Sequence, residues 1–172
     1  DMGFIMFEPE MNLAELKESF LWLKAHREFA SKHNIYNKLN IYYKTDVYYR
    51  LKSKQLLCPS KFWERHYYKF EDKNVEKVLM ILEECKKLMM GVNNAENELT
   101  LSSRKQRENN SSDETLDKFL ADFRNDEKSF WFYVFEDCLK AVEKNQDISA
   151  DKYQKEIDRL GEKINGFSFC KI

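Results

Sequence analysis

Glycine and proline are scarce in this chain of 172 residues, which contains four Gly and two Pro. So few turn-forming residues exclude a glycine-rich phosphate loop, a many-stranded sandwich with tight turns, and a collagen-like or linker-like polymer. Long apolar runs are also missing: the longest dense stretch covers residues 130–135, whereas a membrane-spanning helix needs roughly 20 residues. The sequence therefore predicts a mostly helical protein with no membrane partner.

An excess of positive charge is absent too, since 29 Lys and Arg residues stand against 30 Asp and Glu residues. A protein that coats nucleic acid needs surplus cations to neutralise phosphates, so the composition argues against that class. The chain does contain 15% aromatic and 34% charged residues, a combination typical of amphipathic helices. We expect an all-α fold of six or seven amphipathic helices, in one bundle or in two packed helical halves.

The four cysteines, at positions 58, 85, 138 and 170, are widely spaced and form no Cys-x-x-Cys pair. This spacing argues against a thioredoxin-type motif and a zinc knuckle, and it predicts reduced, buried thiols. The first residues lack the basic segment of a signal peptide. We therefore expect an intracellular protein, nuclear or cytoplasmic.

Several polar residues mark expected helix starts. Asn12 and Glu15 form a capping box, and an apolar stripe follows it as far as Ala30. Two short helices are expected within 35–55, and Pro59 predicts a helix that runs through Phe70. Further starts are expected at Asp72, at a second capping box of Ser111 with Glu114, near Asp126 and after Ser149, with a short extended tail over 167–170.

The helix after Asp72 is expected to stop at Gly91. Residues 92–112 are rich in Asn, Ser, Glu and Arg, a composition that buries too little surface to offset its ordering entropy. This segment is predicted to be a polar loop or linker. It would join an N-terminal helical half, residues 1–91, to a C-terminal helical half, residues 113–172.

The segment 61–69 is the most unusual in the chain, because Phe62 and Trp63 are followed by a basic residue and further aromatics. It resembles the helix of the BSD domain family, and the resemblance covers about residues 29–70. The family's upstream Tyr, hydrophobic and small hydroxylated positions are filled by Tyr49, Leu57 and Cys58. Ser53-Lys54 replaces the family's Val-Pro, and Lys61 replaces its preferred acid.

The resemblance implies a compact three-helix interaction module in a nuclear transcription, repair or trafficking protein, without catalysis. Residues 126–133 repeat the acidic, Phe-Trp and aromatic order, as a second divergent copy or by chance. The competing interpretation is that Phe62, Trp63, Tyr67 and Phe70 are core residues, because aromatic helix stripes are more often core than binding surface.

Arg27 and His33 offer a different function. Their Arg-x5-His spacing resembles the Arg-x4-6-His motif of the HEPN ribonucleases, which are all-helical. In that family the His would take a proton from the 2′-hydroxyl and the Arg would stabilise charge on phosphorus. The alternative is that His33, next to Asn34, only marks a helix C-terminus.

No other pattern predicts a catalytic residue, a metal ligand or a cofactor site. The three histidines, His26, His33 and His66, lack an H-E-x-x-H arrangement, and no cysteine has a neighbouring base. Residues 42–69 interleave Lys and Arg with Tyr, so this region has the components of a nucleic-acid surface. Lysines on amphipathic helices more often form a solvated face.

We therefore expect a non-enzymatic protein–protein interaction or adaptor module, a subunit of a larger complex. An RNA-binding or RNA-cleaving domain that uses Arg27 and His33 is the alternative, and a helical effector or mimic from a pathogen stays open. A few aromatic residues commonly dominate the energy of an interface, and an arginine can orient the partner. The expected partner-binding residues are Phe62, Trp63, Arg65, Tyr67, Tyr68, Trp131 and Tyr133.

Overall fold

The computed structural model describes residues 5–58, 66–109 and 113–169, and 71% of it is helical, so the all-α prediction is confirmed. The described residues form seven α-helices and one 3₁₀ helix. The α-helices are α1 Leu13–Ala25, α2 Lys32–Ile35, α3 Asp46–Ser53, α4 Lys73–Leu88, α5 Met90–Glu108, α6 Glu114–Glu143 and α7 Gln154–Phe169, and the 3₁₀ helix is Ala150–Tyr153.

The capping box before α1 is confirmed. The Asn12 side chain accepts hydrogen bonds from the amides of Ala14 and Glu15, and the Glu15 carboxylate accepts one from the Asn12 amide at 2.9 Å. The helix ends at Ala25, earlier than the stripe to Ala30 predicts. A turn follows over residues 27–29, so Ala30 is buried but does not belong to α1.

Residues 66–70 are extended, so the helix predicted through Phe70 is wrong for them. The His66 amide donates to the Ile41 carbonyl at 3.1 Å, and the Lys69 amide donates to the Leu56 carbonyl at 2.8 Å. These bonds pair residues 66–70 with the extended backbone around Ile41 and around Leu56. The side chains of the segment therefore alternate between inward-facing and exposed, as in a β-strand. The predicted helix start at Pro59 lies outside the described residues.

The extended segments and α3 enclose a small core of Ile41, Tyr48 and Leu51. Thr45 begins α3 by accepting a hydrogen bond from the Tyr48 amide, and Tyr48 and Leu51 then lie three positions apart on one helix face. Other apolar side chains pack around them, namely Leu39, Val47, Leu56, Leu57 and Tyr68. This core fixes the backbone that carries most of the exposed tyrosines.

Asp72 caps two helices with one carboxylate. Its Oδ1 accepts from the Asn74 amide of α4 at 2.8 Å, as predicted, and its Oδ2 accepts from the Leu13 amide of α1 at 2.9 Å. The first-turn amides of a helix have no partner within the helix. One side chain therefore satisfies two helix N-termini.

The predicted stop at Gly91 and the predicted loop over 92–112 are wrong for residues 91–108, which belong to α5. The chain bends only at Met89 and resumes helix at once. Glu96 and Ser103 are buried on α5 because they bind Arg124 and Asp117 of α6, so polar pairs replace apolar contacts. Residues 110–112 lie outside the described residues.

The break expected near Asp126 is also wrong, since α6 is continuous over 30 residues. Asn125 and Asp126 lie on its exposed face, where polar residues do not interrupt a helix. Asp113 accepts from the Leu116 amide at 3.1 Å and caps α6. Ser111 of the predicted capping box lies outside the described residues.

The last predicted helix is confirmed. Ser149 caps the 3₁₀ helix that leads into α7, and the predicted inward residues Tyr153, Ile157, Leu160 and Ile164 are buried. The extended tail predicted from Phe167 is wrong for 167–169, because α7 continues to Phe169, and Cys170 lies outside the described residues.

The chain divides into two compact units. One comprises Asp1–Met80 with Leu139–Gln146, and the other comprises Ile81–Cys138 with Asp147–Ile172. These differ from the predicted halves 1–91 and 113–172, because the division passes through α4 and α6. Within the described ranges, no helix combines the length and the apolar character needed to cross a bilayer.

Candidate partner-binding surface

The structure separates the sequence-predicted binding residues into different environments. Phe62, Trp63 and Arg65 lie outside the described residues. Tyr67 and Tyr133 are exposed, and Tyr68 is half-buried against the core of Ile41, Tyr48 and Leu51.

Trp131 is a core residue, so its prediction as a partner-binding residue is wrong. Its side chain is 0% exposed and packs edge-on against Phe130, with ring centroids 5.4 Å apart. The helical spacing of α6 places it beside the buried Val134, Phe135 and Cys138. Tyr133, on the other side of the helix, keeps an exposed ring that rests edge-on against Tyr153.

Four exposed tyrosines lie around Tyr48 and His66. We call Tyr42, Tyr43, Tyr49 and Tyr67 the tyrosine surface; their exposed fractions range from 48% to 61%. Tyr43 packs edge-on against Tyr48 at 5.2 Å, and Tyr49 does the same at 5.3 Å. Tyr42 and Tyr67 follow Ile41 and His66, which form an antiparallel bridge. The four residues are therefore positioned by one small core.

Alternation along the extended segment explains the exposure of Tyr67. His66, Tyr68 and Phe70 face inward, and Tyr67 and Lys69 face solvent. The Tyr67 carbonyl accepts a hydrogen bond from the Cys58 amide at 2.9 Å, which holds the backbone at this position. The ring is therefore presented from a fixed backbone, which reduces the entropy lost when a partner binds.

Some cations of residues 42–69 are already neutralised. Arg50 and Lys54 both form ion pairs with Glu10 at 2.7 Å, and Lys54 also contacts Glu71. The hydrogen bonds from Lys54 and Arg50 hold the pKa of Glu10 below its usual value, so the carboxylate remains charged. These two cations stabilise the fold and leave little charge for a partner.

Two other lysines of this region lie close to tyrosine rings, and a third, Lys69, follows Tyr67 and Tyr68 in the chain. Lys44 Nζ lies 5.4 Å from the ring centroid of Tyr43, and Lys52 Nζ lies 5.9 Å from that of Tyr48. Both distances permit a cation–π contact. Lys69 has no ion pair with any residue that the structure describes. The tyrosine surface thus combines rings with available positive charge.

Sequence reasoning missed a second group of rings, in which the exposed Trp22 and Phe29 accompany the half-buried His26. Trp22 stacks on His26 with centroids 4.5 Å apart, and it lies nearly parallel to Phe29 at 6.2 Å. His26 Nδ1 is 2.9 Å from the Trp22 carbonyl oxygen, which fixes the imidazole. The available signal was the position of Trp22, which lies beside the apolar stripe of α1 and not within it.

Arg27 and His33, the residues of the ribonuclease alternative, are exposed on different elements. Arg27 lies in the turn after α1, and His33 lies in the four-residue helix α2, where its ring is edge-on to Tyr36. Among the described residues, no group of three or more His, Cys, Asp or Glu side chains is arranged to hold a metal ion.

Cys85 and Cys138 are buried, as predicted, whereas Cys58 is only half-buried. Burial raises the pKa of the Cys85 and Cys138 thiols to about 12, so both remain protonated at neutral pH. Cys138 Sγ lies 3.9 Å from the Tyr153 hydroxyl, which donates a hydrogen bond to Asp137 at 2.7 Å. The Tyr153 hydroxyl therefore has a hydrogen-bond partner although its ring lies in the aromatic core.

No protein-family model matches the sequence, and comparisons with curated proteins and with solved structures found no match.

Proposed function

We propose that this chain is a non-enzymatic protein–protein interaction or adaptor module, a subunit of a larger complex, whose tyrosine surface binds an acidic segment of a partner protein. The observation that supports this is the cluster of four tyrosines, each about half exposed, around one small core. Tyrosine provides a large, rigid contact area at low entropic cost, and it is enriched among residues that dominate binding energy.

Charge complementarity supports an acidic partner. Lys44 lies beside the exposed Tyr43 ring, and Lys52 lies beside the Tyr48 ring on which Tyr43 and Tyr49 pack, whereas Arg50 and Lys54 are paired with acids of the chain itself. Such charges mainly steer association and select the partner. The sequence resemblance of residues 49–70 to the BSD family points to a transcription or repair complex as the setting, although residues 66–70 are extended and not helical as that resemblance implies.

The test is a pull-down with this chain from the cells that make the protein, in which retained proteins are crosslinked to it by light. A photoreactive amino acid at position 49 would mark the contacted segment of each retained protein. We expect a retained protein whose crosslinked peptide is rich in Asp and Glu. The double variant Tyr42→Ala/Tyr67→Ala should lose it, because both rings are removed without loss of core contacts.

The matched control is Tyr133→Ala, which removes another exposed tyrosine from a different part of the chain. It should retain the partner. Retention that is unchanged in the double variant contradicts the proposal. So does retention that nuclease treatment abolishes, because the rings and lysines would then be contacting nucleic acid.

A further inference from the structure

A cavity of about 350 Å³ lies between α5 and α6. Each helix contributes four residues at the spacing i, i+3, i+4 and i+7, which places them on one helix face. The lining residues are Thr100, Ser103, Arg104 and Arg107 of α5 with Asp117, Leu120, Ala121 and Arg124 of α6. Three arginines therefore border the same cavity.

Two of these arginines are held by contacts that cross between the helices. Arg124 Nε donates to Glu96 at 2.8 Å, and its Nη2 donates to the Thr100 hydroxyl at 2.9 Å. Arg107 Nη2 lies 2.8 Å from Asp117 Oδ2. These contacts fix both guanidinium groups before any ligand is present.

Asp117 does not cancel the positive charge of the cavity. Its Oδ1 accepts from the buried Ser103 hydroxyl at 2.6 Å, and its Oδ2 accepts from Arg107. These two hydrogen bonds hold the pKa of Asp117 below its usual value, so it pairs with Arg107 as a carboxylate. Asp117 pairs with Arg107 and Glu96 pairs with Arg124, so Arg104 is the one arginine of the lining whose charge is balanced by no acid that the structure describes.

Arg104 differs from the other two arginines in its contacts. It is exposed at the middle of the α5 face, and it forms no ion pair or hydrogen bond with any residue that the structure describes. A guanidinium carries five N–H donors, so Arg107 and Arg124 also keep donors beyond those used here. Leu120 and Ala121 add apolar surface to the same cavity.

We propose that this cavity binds the phosphoryl group of a small organic phosphate. Planar guanidinium groups match the oxygens of a phosphate and bind it in a bidentate manner. The volume lies at the lower end of the range for small-molecule sites, roughly 300–1,000 Å³. The organic part would rest on the exposed Ala121, beside the buried Leu120.

The test is a titration of the full chain, followed through backbone amide NMR shifts at constant ionic strength. The probes are inorganic phosphate and phenyl phosphate. We expect saturable shifts in residues 100–107 and 117–124, with phenyl phosphate binding more tightly because of its apolar ring. Arg104→Gln should weaken binding about tenfold, the effect of losing one charged hydrogen-bond donor.

The matched control is Lys105→Gln, which removes the same charge from the next residue of α5, outside the cavity. Its affinity should stay within about twofold of the original, since an exposed charge contributes little. An equal loss in both variants, or the absence of saturable shifts, overturns the proposal. Phenyl phosphate binding no tighter than inorganic phosphate overturns the assignment of an organic ligand.

Discussion

Residues 66–70 and residues 130–135 are both crowded with aromatic side chains, and each segment leaves one tyrosine ring exposed through a different backbone period. In the extended segment, Tyr67 and Lys69 are exposed while Phe70 is buried. In α6, five of the six residues from Phe130 to Phe135 are buried, and Tyr133 is the exposed one. The backbone period decides which rings remain available to a partner.

The backbone conformation also explains why the tyrosine surface lies where it does. An extended segment paired on both edges presents alternate residues to solvent, so Tyr67 stays outside the core while Tyr68 and Phe70 face inward. A helix that packs on several sides buries almost all of them, because side chains project in every direction around its axis. Aromatic density alone therefore does not indicate a binding surface.

The largest expected effect is at Trp131. Trp131→Ala should lower the free energy of unfolding by about 3–5 kcal/mol, the usual cost of a cavity left by a large buried ring. Urea denaturation followed by circular dichroism measures this. Tyr133→Ala, two residues along the same helix, is the control and should cost much less because its ring is exposed. Equal losses in the two variants would contradict the contrast within α6.

Local signals predicted three of the helix starts, whereas the start expected near Asp126 is wrong and only one of the two helices expected within 35–55 forms there. Asn12, Asp72 and Ser149 all cap helices as expected, because a cap depends on residues within one turn of it. Long-range pairs were the part that the sequence could not reveal. The segment 92–108 is helical because Glu96 and Ser103 find partners on α6, and Arg124 lies 28 positions from Glu96.

The candidate site was predicted in part. Tyr67 and Tyr133 are exposed as expected, and the tyrosines of residues 42–49 belong to the region that the sequence marked as basic and aromatic. Trp131 was misassigned because its burial depends on what packs around α6 on every side. The rings of Trp22 and Phe29 were missed because a turn, and not helical spacing, brings them together.

An intermediate effect is expected at Asp72, where the backbone changes from the extended segment to α4. Asp72→Ala should lower the free energy of unfolding by about 2 kcal/mol, because a lost N-cap costs about 1 kcal/mol and this carboxylate caps two helices. Chemical denaturation measures the free energy of unfolding of this variant and of Asp113→Ala, and it thereby compares the loss of two helix caps with the loss of one. Asp113 caps α6, so its loss should cost about 1 kcal/mol. If the two variants lose the same free energy of unfolding, one of the two Asp72 hydrogen bonds contributes nothing.

The smallest expected effect is at Tyr67, and it tests the comparison most directly. Tyr67→Ala should change the free energy of unfolding by no more than about 0.5 kcal/mol, as exposed substitutions usually do, because the backbone bond from Cys58 does not involve the ring. Tyr68→Ala is the neighbouring control. It should cost clearly more, since the Tyr68 ring packs edge-on to Phe70 at 5.3 Å and against the small core. If chemical denaturation gives the opposite order, the ring of Tyr67 belongs to the core and cannot serve a partner.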